Sequence, residues 1–294
     1  MGRLQAEIHQ GPQTRQQLIS ALEDHFQRRI VTFFTSFRFP AQIADEDADS
    51  LEGILQKTDL SNGLALVVNS AGGNGLTVER IIRICRTYAG GEFSVIVPKM
   101  AKSAATVICL GASCIYMAQT AELGPVAPQV FRRDPDTGEM NVAQAQNIIK
   151  SYEKLITSAV RVKGNPDPYL QQLQRYDATD IQELRDAVAL AEDLALTTLS
   201  TGMMQGKSRA SIRKCIAVLL DPEKTSAHGR PVYLDQARAC GLKIEEIGIN
   251  AEIWPVLHEL YIRTNAFVSI EASKAIETRE HAFFAPAPDR PKKG

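Results

Sequence analysis

The stretch SNGLALVVNSAGGNGLTVERIIRICRTYAGGEFSVIVPKMAKSAATVICLGASCIYMAQTAELGPVAPQ, Ser61–Gln129, holds two strand-to-turn-to-helix units in succession. The first starts with Leu64–Val68, an apolar and partly β-branched run that suits a buried strand, and reaches Ala71, Gly72 and Gly73 at once. Val78, Ile81, Ile82, Cys85 and Tyr88 follow at spacings of three and four, which predicts an amphipathic helix. Adjacent glycines at such a junction free the backbone to turn its N–H groups outward, the arrangement that holds an anion or an oxyanion. The second unit repeats the plan. Phe93–Val97 reads as a strand ended by Pro98, and Ser103–Ala112 as a tightly packed helix of small residues. Ser103 therefore falls at a helix start just beyond a strand end, where the helix dipole stabilises an alkoxide or a tetrahedral adduct. The same position also suits a plain N-cap serine bonded to a backbone N–H, so position alone leaves both readings open.

Outward from this stretch, the chain reads as alternating strands and helices. A helical pattern over Thr14–Arg28 (Leu18, Leu22, Phe26) leads into a strand at Ile30–Phe37. Asp45, Asp47 and Asp49 precede Leu51, Ile54 and Leu55, so they read as first-turn acids of a helix. Their spacing is not that of a calcium loop. Beyond Gln129, FRRDPDTGEM is predicted to be a polar loop, Asn141–Val160 a helix, and 169–220 mostly helix with breaks near Gly202 and Gly206. Leu242–Ile247 reads as a strand and Ala251–Val268 as a last helix. The expectation is an α/β fold with largely parallel strands and a helical insertion, in a single domain over 14–284. Residues 1–13 and 285–294 are expected to be disordered tails, being polar or rich in proline and charge.

Composition narrows the classes. With 294 residues, 44% of them hydrophobic, the chain can bury a substantial core, and a net charge of -1 without a basic block speaks against a nucleic-acid partner. The N-terminus has no apolar core of a signal peptide. The uncharged run between Lys102 and Glu122 is too rich in Ser, Thr, Gln and Gly to be read as a membrane span. Five irregularly spaced cysteines read as core thiols of a reducing, cytoplasmic compartment. Neither the cysteines nor the histidines have metal-ligand spacing, and the glycine turn lacks a P-loop lysine, so no metal and no organic cofactor is expected. A dinucleotide reading of Gly72-Gly73-Asn74-Gly75 fails because Val78 stands where the third glycine belongs and Glu92 precedes the next strand.

Three motifs, NSAGG (Asn69–Gly73), AKSAAT (Ala101–Thr106) and ELGPVAPQ (Glu122–Gln129), closely resemble the serine dehydrogenase proteinase family, relatives of signal peptide peptidase A. Behind both stands the Clp protease/crotonase superfamily, whose repeated ββα units form a superhelical core. The resemblance implies a serine peptidase acting on peptides or proteins, with Ser103 as nucleophile, Gly72 and Gly73 as oxyanion-hole backbone and the N–H of Ala104 as a further donor. It also implies a homo-oligomer, since relatives assemble into rings or layered trimers. Ser103 speaks against the acyl-CoA branch of the superfamily, which needs no serine. The chain departs from the family in having Ala71 for proline and Ala127 for aspartate.

For the general base, no histidine lies between Ser103 and Gln129, and Gln144 stands where the signal peptide peptidase relatives have a dyad lysine. Lys102 adjoins the serine, but successive helical residues point about 100° apart. Lys150 is the first base candidate and His228 the alternative, with Lys154 behind them. The competing function is a catalytically inactive oligomeric scaffold or peptide-binding relative that keeps the fold and lacks a competent base.

Overall fold

In the computed structural model, which describes residues 11–39, 41–133, 138, 140–221 and 231–288, Gln13–Phe26 forms helix α1 and Arg29–Thr35 strand β1. Asp45–Leu55 is α2, with Asp45, Glu46 and Asp47 in its first turn where the dipole favours them. Its three aspartates serve structure. Asp45 accepts from Thr77, Asp47 pairs with Lys274 at 2.6 Å, and Asp49 pairs with Arg80 at 2.5 Å.

The two units of the central stretch form as expected. Strand β2 (Leu64–Asn69) runs into α3 (Gly75–Tyr88), and β3 (Ser94–Val97) with the short β4 (Met100–Ala101) runs into α4 (Ala104–Gly111). Strands β5 (Cys114–Ala118) and β6 (Glu122–Leu123) follow.

Where a polar loop was expected at Phe131–Met140, the chain makes a hairpin, β7 (Gln129–Arg133) paired antiparallel with β8 (Met140–Gln144). The β-forming residues Val130, Phe131 and Val142 flank the Asp-Pro-Asp-Thr-Gly turn signal in the sequence, a pattern that suits two paired strands. This strand delays the next helix, α5, to Ala145–Arg161. Helices α6 (Asp167–Leu173), α7 (Ala178–Ser200), α8 (Arg209–Cys215) and α9 (Ala217–Leu220) complete the helical insertion. After them come β9 (Val232–Tyr233), α10 (Leu234–Ala239), β10 (Ile244–Ile247) and α11 (Trp254–Ile270).

The sequence reading missed the two strands after α11, β11 (Ala272–Glu277) and β12 (Ala282–Pro286). ASKAIE carries two charges that mask its strand character, and each is neutralised only by tertiary contact. Lys274 meets Asp47, and Glu277 is clamped by Arg15 in a buried pair at 2.9 Å. The expected disordered tail from 285 is corrected in part, because Ala285 and Pro286 pair with β11.

The main sheet has the order β10-β5-β3-β2-β1-β11-β12; the first five strands are parallel, β11 pairs antiparallel with β1 and β12 antiparallel with β11. Strand β2 is buried on both faces, as parallel strands covered by helices are. Leu64, Leu66 and Val68 enter a core with α2, α3, α4 and the second half of α7, whereas Ala65 and Val67 enter another with α1 and α11. The sheet is thus sandwiched between helical layers. The site forms at the carboxyl ends of β2 and β3, where an open parallel sheet leaves backbone groups without a strand partner.

Candidate active site

Two turns are stitched together at the strand ends. The Ser70 N–H donates to the Met100 carbonyl at 3.2 Å and the Lys102 N–H to the Ser70 carbonyl at 3.0 Å. Gly72 then sits against the second turn with φ 103°. A Cβ there would lie 2.7 Å from the Lys102 carbonyl oxygen, 2.9 Å from Ser103 Cβ and 3.0 Å from the Ala104 nitrogen, so any side chain would force the turns apart. Gly73 is as tightly constrained on its other side, with a virtual Cβ 2.2 Å from the Ile43 nitrogen. Ile43 bridges the loop by donating to the Gly72 carbonyl and accepting from the Asn74 N–H, both at 2.9 Å.

Ser103 occupies the N-cap position of α4, yet its side chain makes no capping bond, and its backbone has φ 50° and ψ −121°. A non-glycine residue held there costs about 1–3 kcal/mol, so the surroundings must over-determine it. They do. Every residue of α4 is buried, the Ser103 carbonyl accepts from the Thr106 N–H at 2.9 Å, and the Thr106 hydroxyl lies 2.8 Å from the Ala101 carbonyl and 3.0 Å from that of Gly124. The plain N-cap reading of Ser103 is therefore not what the chain adopts.

The donors divide unexpectedly. The Gly72 N–H is taken by Ser70 Oγ at 3.1 Å, and that hydroxyl in turn lies 2.8 Å from Thr35 Oγ1. Among the described residues, the N–H groups of Gly73 and Ala104 have no acceptor. Gly72 thus shapes the junction by lacking a side chain, and the N–H groups of Gly73 and Ala104 are left without an acceptor among the described residues.

The glycine turn and Ser103 line a cleft of about 470 Å³. Ala71–Gly73 and Ser103 form its floor, the turn Ser36–Phe39 with Ala41 and Gln42 one wall, and Pro128 and Gln129 the other. Arg38 is the only ionisable residue among those described in its lining. Lys102 is drawn off to an ion pair with Glu122 on β6. Lys150 lies outside the cleft lining, 43% exposed and 3.9 Å from Asp221; Lys154, also on α5, is exposed and outside it too. His228 falls outside the described residues. Gln144, at the position matched to the dyad lysine, is buried and paired across the hairpin with Gln129 of the cleft wall, so this position neighbours the site but offers no basic group.

Of the two departures, Ala71 is exposed in the floor and Ala127 is buried, where a carboxylate would need a partner. The cysteines are free and none lines the cleft; burial pushes the Cys85 thiol up to about 12 and that of Cys240 to about 11. Among the described residues no helix is long and apolar enough to cross a membrane.

The family model described as ClpP-like SDH-type serine proteinase matches residues 13–266. The chain belongs to that family. No curated protein matches it. A solved ClpP1 mutant from Listeria monocytogenes is similar at 12% sequence identity and TM-score 0.42, over 79% of this chain and 99% of that one. As a ClpP-like SDH-type serine proteinase, the protein is a serine peptidase, and residues in and beneath its cleft that sequence reasoning passed over become relevant. Ser70 directly follows a strand inside the NSAGG motif, a signal that could have marked it. Ser36 and Arg38 of the cleft lining, and the buried Thr35 that meets Ser70, lie in TSFRFP, far from the motifs in sequence and brought beside them by the pairing of β1 with β2.

Proposed function

We propose that this serine peptidase works through an acyl-enzyme on Ser103. The Oγ attacks the peptide carbonyl carbon while its proton passes to a base. The resulting oxyanion is held by the N–H groups of Gly73 and Ala104, and Gly72 supplies the room for them. The C–N bond then breaks, the amine leaves with a proton, and water hydrolyses the ester. The observation that carries this reading is an uncapped, strained serine close to two N–H groups that have no acceptor among the described residues. A hydroxyl kept out of its ordinary capping bond at the cost of strain suits chemistry better than architecture.

The base comes from outside the described cleft lining, because the one ionisable group there, the Arg38 guanidinium, offers donors and no acceptor. Lys150, set in a surface ion pair away from the cleft, is the weaker of the two candidates, which makes His228 the first to test. The lack of a base in that lining is also what favours the inactive scaffold as second reading. Labelling with a fluorophosphonate probe separates the two: label on wild type and none on Ser103→Ala supports the peptidase, and an unlabelled wild type supports the scaffold.

We also propose a cytoplasmic homo-oligomer that takes peptide or protein substrates. Support for assembly comes from the helical arm, where Ile156, Val160, Leu170 and Leu190 are exposed apolar side chains, and support for the compartment from its free thiols. A mass near 32 kDa by light scattering at micromolar concentration would overturn the assembly.

A further inference from the structure

The cleft wall facing Ser103 is built around one hydroxyl. Ser36 is buried just past the end of β1, its N–H on the Ser273 carbonyl at 2.8 Å, and its Oγ accepts from the N–H groups of both Arg38 and Phe39, at 3.0 and 3.1 Å. The turn Phe37-Arg38-Phe39 is thereby fixed in place, a local side-chain-to-backbone motif that replaces a helix or strand ladder. All three of its residues, Phe37, Arg38 and Phe39, line the cleft. Arg38 rests one donor on the Ser269 carbonyl at 3.4 Å, a long bond in the last turn of α11, and the fork has four more N–H donors. No acidic side chain lines the cleft among the described residues, so its charge is that of Arg38 alone.

We propose that Arg38 is a specificity-determining residue, which selects peptides carrying a carboxylate beside an apolar residue near the scissile bond. The chemistry follows from the wall. A guanidinium binds a carboxylate through charge-assisted and bidentate bonds, and Phe37 and Phe39 offer apolar surface to the neighbouring side chain. The carboxylate can be that of an Asp or Glu side chain or the free C-terminus of the peptide, and one group of donors serves both. This inference rests on the cleft being the substrate site, and it is independent of whether Ser103 acts as nucleophile.

The test therefore reads binding first. On the full-length Ser103→Ala protein, dissociation constants are measured by fluorescence polarisation for matched peptides that differ only by Glu or Gln beside a Leu, and by a C-terminal acid or amide. The carboxylate forms are expected to bind about tenfold tighter at low salt, with the ratio shrinking at high salt. If the Glu substitution carries the gain, a side chain is selected; if the free C-terminus carries it, the selection is for chain ends. Arg38→Gln should bring the ratio to about one. Arg38→Glu should invert it in favour of a Lys-containing peptide, a gain that a misfolded variant cannot produce. Equal binding of acid and amide forms to the Arg38 protein, or a preference that survives Arg38→Gln, overturns the proposal. Failure of the fluorophosphonate to label wild type, with the carboxylate preference intact, would instead count against the peptidase mechanism alone.

Discussion

The two N-cap residues of the central stretch, Asn74 ahead of α3 and Ser103 ahead of α4, hold equivalent places in successive units and behave oppositely. Asn74 has φ −69° and ψ 123°, and its side chain accepts from the Leu76 and Thr77 N–H groups at 2.8 and 3.3 Å. It does what a cap residue does, satisfying donors that the first helical turn leaves orphaned. Ser103 is of an equally good capping type, yet it is turned to positive φ and its hydroxyl caps nothing. Residue type at a helix start therefore does not decide whether the side chain caps the helix. The backbone does, and here the close approach of Gly72 sets that backbone.

The comparison breaks most severely at Ser103 itself. Ser103→Ala is expected to fold normally, since no capping bond is lost, and to lower peptidase turnover by roughly four to six orders of magnitude. Ser103→Gly should be equally inactive and more stable than wild type by about 1 kcal/mol, because glycine relieves the positive φ. A melting temperature at or below wild type for the glycine variant would mean that the serine backbone is not strained.

Next in size is the base. His228→Ala is expected to cost about 10²–10⁴-fold in kcat and to flatten a pH profile that otherwise rises near neutrality. Lys150→Ala should stay within about threefold of wild type, as the loss of an exposed ion pair would allow. A profile that rises only toward alkaline pH and collapses in Lys150→Ala would reverse this assignment.

Gly72→Ala comes third. Its methyl group would meet backbone atoms at 2.7 and 3.0 Å and could not be absorbed by a rotamer change, so kcat/KM should fall about 100-fold as the two N–H groups move off target. A crystal structure of the variant with an unmoved Ala104 nitrogen and full activity would remove the geometric argument. Ser70→Ala acts more gently. It frees the Gly72 N–H and should lower kcat by about tenfold with KM little changed, and Ser70→Thr should restore part of the loss.

Asn74→Ala, the smallest, should lower stability by about 1 kcal/mol in a urea melt while kcat stays near wild type. Should Asn74→Ala abolish activity and leave stability untouched, the contrast between the two caps would be the reverse of the one drawn here.

The two central units were legible before any coordinates because their signals are local. An apolar β-branched run, a glycine pair and a three-and-four periodicity all lie within Leu64–Tyr88, and backbone preferences act over the same span. Strands β11 and β12 were not legible, since Lys274 and Glu277 look like surface charges until Asp47 and Arg15 arrive from over two hundred residues away. The same limit hid Arg38, which no local pattern ties to Ser103.

By itself, the sequence determined the α/β plan, the family and the candidate nucleophile, because these rest on residue types and spacings within short windows. Only the tertiary structure decided which N–H groups of the two turns are left without an acceptor among the described residues. Whether Gly72 donates to Ser70 or to a substrate depends on where β1, β2 and the second turn come to rest, through Thr35, Ser70 and the contact with Ser103. A backbone donor looks the same in every residue but proline, so its availability is a property of packing.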